Sequence, residues 1–162
     1  MKEKNISYKQ GNLNQIMKRF KEIADTTDEV YDDVLVMAVR GHKQIPEYYK
    51  LLEFKPWFNK KGYAKIKMVV GKKEYSVTEK GNGMINATEK AINKITGTRL
   101  KIADYSSKAL EKGGESKGIE SIIVKNNGYT VRGIGISEDT VYGAAKALID
   151  ANNRMRYVLE NK

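Results

Sequence analysis

The chain has 162 residues, a formal net charge of +10, 40% hydrophobic residues and no cysteine. That length is one domain, or one domain with an appendage, and is enough to bury a core. The missing cysteines exclude a disulfide framework, a thiol nucleophile and a thiolate metal site, and no apolar run approaches the roughly 20 residues of a membrane span.

Residues 1–11 are polar, lack the apolar segment of a signal peptide and read as an arm, which fits a cytoplasmic protein. Asn12 is placed to cap a helix whose apolar residues Leu13, Ile16, Met17, Phe20, Ile23 and Ala24 fall on one face. Asp25-Thr26-Thr27 breaks it, and Thr27 or Asp28 can cap a second helix with Val30, Val34, Met37 and Ala38 as its buried stripe and Gly41 as its stop. Such a short helical pair needs a surface to pack on. Beyond Pro46 the pattern changes to period two. Leu51–Phe58 reads as a strand, with Pro56 marking an edge or an end. Gly62 is read as a turn, then Tyr63–Val70, the Gly71-Lys72 turn and Glu74–Glu79 form a hairpin. The Gly81–Gly83 turn and a helix over about 85–95, stopped by Gly97, close the unit.

The same plan recurs. Leu100–Leu110 is a strand and 112–118 a glycine-rich loop. Ile119–Val124 is the next strand, Asn126-Asn127-Gly128 a hairpin turn, and Tyr129–Arg132 the return. A second glycine turn, Gly133–Gly135, leads into a helix over about 139–159. The helix stretches Ile85–Ile92 and Val141–Leu148 superimpose without a gap at an offset of 56 residues. The expected fold is α+β: two tandem βββα repeats (about 48–97 and 98–162) with pseudo-twofold symmetry and a shared core. A helical linker subdomain over 1–47 precedes them.

Catalytic chemistry is absent from the pattern. His42, the single histidine, sits near a helix end and reads as a surface or capping residue. No cluster of His and carboxylates has metal-ligand spacing, and no nucleophile elbow occurs. Asp32-Asp33 and Asp25 with Asp28 read as structural acids at helix N-termini. Neither Gly-x-Gly stretch completes a dinucleotide or phosphate-loop fingerprint. Their duplication suggests two helix N-termini brought toward one axis, where free N–H groups attract a carboxylate. Ile85, Ile102, Tyr105 and Ile136 stand near as an apolar wall or as ordinary core. The positive charge and the aromatics Tyr48, Tyr49 and Trp57 motivate a second reading, a basic nucleic-acid-binding module. The lysines are spread among 20 acidic residues, however, and the clusters Lys60-Lys61 with Lys65 and Lys67, and Lys72-Lys73, read as solvated faces. A third reading is an oligomerisation scaffold without ligand.

The runs from Gly81 to Ile95, Leu100 to Leu110 and Gly133 to Met155 resemble the C-terminal regulatory (dimerisation) domain of the 2-isopropylmalate synthase, citramalate synthase and homocitrate synthase family. The marks are Gly81/Gly83/Ile85/Ala87, Leu100/Asp104/Tyr105 and Gly133/Gly135/Asn153/Arg154. Leu13–Ala38 is similar to the helical linker between that family's catalytic barrel and this domain. The resemblance implies a homodimer that binds a branched-chain amino acid, leucine or isoleucine, as feedback inhibitor of branched-chain amino-acid biosynthesis. It implies effector contacts at Asn82, Gly83, Ile85, Asn86, Ile102, Tyr105, Ala109, Ser116, Gly135 and Ile136. Met84 stands where the family's turn usually continues with proline, and Asn86 where Ala or Asp is common. The barrel, with its metal ligands and acetyl-CoA site, has no counterpart here. The chain alone is therefore expected to be no enzyme and to need no cofactor or metal. It is read as an excised or separately encoded regulatory part of an acyl-CoA-condensing transferase, with a barrel subunit as a partner and no membrane partner.

Overall fold

The computed structural model describes Ile6, residues 12–110 and residues 117–162. Two helices, α1 (Leu13–Ala24) and α2 (Asp32–Arg40), precede two βββα units. The first unit is β1 (Tyr49–Asn59), β2 (Lys61–Val70), β3 (Lys73–Gly81) and α3 (Met84–Thr96). The second is β4 (Lys101–Ala109), β5 (Gly118–Asn126), β6 (Tyr129–Ser137) and α4 (Thr140–Asn161). Each sheet is an antiparallel meander, β1-β2-β3 and β4-β5-β6, with its own helix packed on one face.

The 56-residue offset extends through most of both units. Lys73 and Tyr129 begin β3 and β6, Gly81 and Ser137 end them, and Met84 and Thr140 begin α3 and α4. The first strands carry matching irregularities, a bulge between Leu51 and Glu53 and another between Ile102 and Asp104. The buried residues of both units, among them Ile66, Met68, Ile92, Ile122, Val124, Val131, Leu148 and Tyr157, form one cluster.

That register corrects the reading of the second glycine pair. Gly133 and Gly135 are not a turn; they lie inside β6, on the face under α4. The counterparts of Gly81 and Gly83 are Ser137 and Asp139. A Cβ at Gly133 would overlap the carbonyl oxygen of Ala147, and one at Gly135 that of Gly143. These residues let helix and sheet backbones touch, a use of glycine that depends on space and not on a left-handed backbone. Gly62 is likewise no turn: it lies within β2, and the tight turn is made by Lys60 with φ 58.

The helical entry also differs in detail from its sequence signals. Asn12 occupies the N-cap position of α1 without a side-chain cap, and α2 starts at Asp32 behind Tyr31, not behind Thr27 or Asp28. Thr27 instead donates to the Ala24 carbonyl at the end of α1. Val30 is exposed, whereas Val34, Met37, Ala38 and also Val36 are buried. Gly41, with φ 71, ends α2 as expected.

Buried carboxylates dock α2. Asp32 accepts the backbone N–H of Thr130 at 2.6 Å, on the free edge of β6. Asp33, 2% exposed, pairs with Arg154 at 2.7 Å, and Arg154 also holds Asp150 at 2.9 Å. Asp150 in turn accepts the edge N–H of Ile134. Burial pushes the Asp33 carboxyl up, against the pull of Arg154. Burial also opposes the Arg154 charge, but Asp150 and Asp33 outweigh it and hold the guanidinium ionised. Beside it, Asn153 pairs its side-chain amide with both backbone groups of Tyr49, at 2.8 and 3.1 Å. Asn93 of α3 does the same to Leu100, at 3.2 and 2.8 Å. Each helix thus clamps the entry to a first strand.

Two stability predictions follow from this packing. Gly135→Ala should cost about 3 kcal/mol, at the upper end for an overpacked core, while Gly83→Ala, with open space around its Cβ position, should change stability by less than about 1 kcal/mol. Equal urea midpoints for the two variants would contradict this account of Gly135. Arg154→Ala leaves the Asp33 carboxylate buried without its cation and should cost about 3 kcal/mol. Asp33→Asn should cost less, since no charge is stranded on the buried side, and urea titration of both checks the order.

Candidate effector site

The first turn of α3 faces the start of β4. Gly83 is the N-cap in extended conformation, and no side chain caps the helix there. Asn86 folds back instead: its Oδ1 accepts the N–H of Asn82 at 3.2 Å, and its Nδ2 donates to Glu89 at 3.5 Å. Glu89 reaches across to accept the N–H of Ile102 at 3.4 Å. Asn82, Asn86 and Ile102 are therefore joined by one hydrogen-bond chain, through a glutamate that the sequence reading did not single out. A groove of about 440 Å³ runs along this seam, lined in part by Glu79, Asn86, Glu89, Asn93 and Leu100. Its pseudo-symmetric counterpart, about 330 Å³, lies between α4 and β1.

The two helix N-termini are chemically unequal. Asp139 caps α4, accepting the N–H of Tyr142 at 2.7 Å. A carboxylate already occupies that positive end, whereas the N-terminus of α3 has no anionic side chain in its first turn.

On the inner face of β4, Ile102 and Tyr105 are half-buried and pack against the core cluster. The Tyr105 hydroxyl donates to Glu120 at 2.6 Å, and Ser107 donates to the same carboxylate at 2.8 Å. Glu120 lies on β5 and is fully buried. The Tyr105 phenol is pushed up to about 12, by burial first and then by the Glu120 carboxylate. Ala109 lies at the exposed far end of β4, opposite Gly118. Ile85 is half-buried on α3 against the core cluster.

Not every expected residue joins this group. Gly135 is sealed beneath α4, and Ile136, 45% exposed, points to the outer face of the sheet, away from Tyr105. Ser116 lies outside the described residues. His42 has a structural setting: its N–H caps α2 at the Met37 carbonyl, and its Nδ1 lies 2.8 Å from the Tyr157 hydroxyl. Glu89 and Glu120 were missed because nothing local marks them. Glu120 acquires its partners only across the sheet, and Glu89, besides its neighbour Asn86, acquires Ile102 only between helix and strand.

Two βββα units, each a three-stranded antiparallel meander with a helix on one face, joined by one shared core, define the fold class. Residues 29–156 match the family described as the LeuA allosteric (dimerisation) domain, and the chain belongs to that family. Among similar proteins, the 2-isopropylmalate synthase of Nitrosomonas europaea is 31% identical over 152 residues, which are 91% of this chain and 30% of that protein. That of Aquifex aeolicus is 30% identical over 163 residues, 95% of this chain and 31% of the relative. That of Yersinia pestis (strain Pestoides F) is 30% identical over 159 residues, covering 96% and 31%. The chain spans less than a third of the length of these relatives. None of the described helices is long and apolar enough to cross a membrane.

Proposed function

We propose that this chain is the allosteric and dimerising part of a 2-isopropylmalate synthase-type enzyme and that it binds a branched-chain amino acid, leucine or isoleucine, as feedback inhibitor. The observation that carries this reading is the hydrogen-bond chain that runs from the uncapped start of α3, through Asn82, Asn86 and Glu89, to the half-buried Ile102 of β4, the strand that also carries Tyr105. The N–H groups of the helix suit the effector's carboxylate, and the strand wall suits its aliphatic side chain. Asn82, Gly83, Ile85 and Asn86 form the helix side of this pocket. Ala109 extends the strand side, and Gly135 acts by holding α4 close.

An effector shifts an equilibrium only by its differential affinity for two arrangements. Asp32, Asp33 and Arg154 tie α2 to β6 and α4, so a shift of the second unit reaches the helical entry directly. In this reading α1, with Leu13 and Met17 exposed, faces a catalytic barrel, whether on the same polypeptide or a separate subunit, and two copies of the chain pair in the cytoplasm.

Isothermal calorimetry with leucine, isoleucine and valine should show binding of at least one, and no heat at millimolar ligand would remove the sensing role. Tyr105→Ala should weaken the binding at least tenfold, about 1.4 kcal/mol; an unchanged affinity would place the pocket elsewhere. Sedimentation equilibrium should return a dimer.

A further inference from the structure

We propose that Glu120 is a positioning residue of the effector pocket, which pins Tyr105 to the sheet so that it offers a ligand its ring and not its hydroxyl. The inference rests on the effector reading above and names a determinant that reading lacks.

Pseudo-symmetry shows that no packing need calls for a carboxylate here. The position 56 residues earlier is Ala64, buried at the same place in β2. Above Glu120 on α4 stands Gly143, where a Cβ would lie 2.6 Å from the Glu120 Cγ, and the counterpart of Gly143 on α3 is Ala87. Bulk has moved from helix to strand, and the helix still seats on the sheet. A carboxyl group has been added in the process. Hydroxyls alone reach it among the described residues, those of Tyr105 and Ser107, and no described cation pairs with it. A buried carboxylate is tolerated only when hydrogen-bonded, and bonds to an ionised acceptor are short and strong.

The strand-one counterparts differ in where the ring rests. Phe54 opposes Ile66 in β1 as Tyr105 opposes Ile122 in β4. Phe54, without a hydroxyl, rests against Tyr142 of α4, ring centroids 5.8 Å apart. Tyr105 is instead drawn toward β5. With its proton donated to Glu120, it presents an apolar surface, which favours an aliphatic effector over an isosteric hydroxyl-bearing one such as threonine in place of valine.

The test uses the full chain labelled with ¹³C at tyrosine Cζ, with Tyr105→Phe assigning the resonance. The variants are Glu120→Ala with Gly143→Ala, which recreates the Ala64 and Ala87 pair of the first unit, and Glu120→Gln, which keeps an acceptor. The double variant should move the Tyr105 resonance, weaken leucine binding about tenfold and narrow the preference for valine over threonine. Glu120→Gln should restore most of each. A Tyr105 resonance at its wild-type position in the double variant overturns the proposal whether or not any amino acid binds. A moved resonance with unchanged affinity and selectivity overturns the link to the effector. Absence of binding in the wild type sinks the effector reading, and the resonance still decides the Glu120–Tyr105 bond.

Discussion

Asn153 and Arg154, neighbours on α4, tie together the parts of the chain that local structure leaves separate. Asn153 replaces a strand partner for Tyr49 at the entry to the first unit. Arg154 binds Asp33 of the helical entry and Asp150 of its own helix, and Asp150 closes the edge of β6 at Ile134. The two sheets share no strand pairing, so the shared core and these side-chain clamps hold the units together. Buried amides and charges of this kind are costly unless every partner is present, so the clamps hold only as a complete set.

The pseudo-twofold plan matters most where it fails. Both units use the same strands, bulges and helix starts. Yet Asp139 caps one helix, while Gly83 leaves the other open. Tyr105 and Glu120 face each other in one unit where Phe54 and Ala64 stand in the other. A duplicated scaffold thus carries two related grooves of different chemistry, one at an uncapped helix start and one at a helix capped by Asp139. The uncapped start of α3 and the strand carrying Ile102 and Tyr105 belong to different units, so their spacing depends on how the units are seated.

Much of the fold was legible in the chain. Alternation in β2 and β3, the Asn127-Gly128 turn, the glycine stops at Gly41 and Gly97 and the 56-residue repeat are local signals, and the structure carries all of them. The glycine misreadings share one cause. Gly62, Gly133 and Gly135 were read as turn residues because glycine usually marks a backbone that other residues resist. Here they mark places where another backbone arrives, and a sequence carries no trace of what lies above a strand. The same holds for Asp32 and Asp33, legible as structural acids at a helix start but not as the anchors of that helix to β6 and Arg154.

The sequence by itself determined the element order, the duplication and the family, because these rest on periodicity, turn chemistry and motifs spaced within a few residues. It also named Asn82, Asn86 and Ile102, which one hydrogen-bond chain joins. Only the tertiary structure decided that Glu89 joins Asn86 to Ile102, that Glu120 receives Tyr105, that Ile136 faces away from Tyr105, and that the two helix N-termini are unequal. These depend on strand register and on the close approach of α4, which arise from packing between residues far apart in the chain.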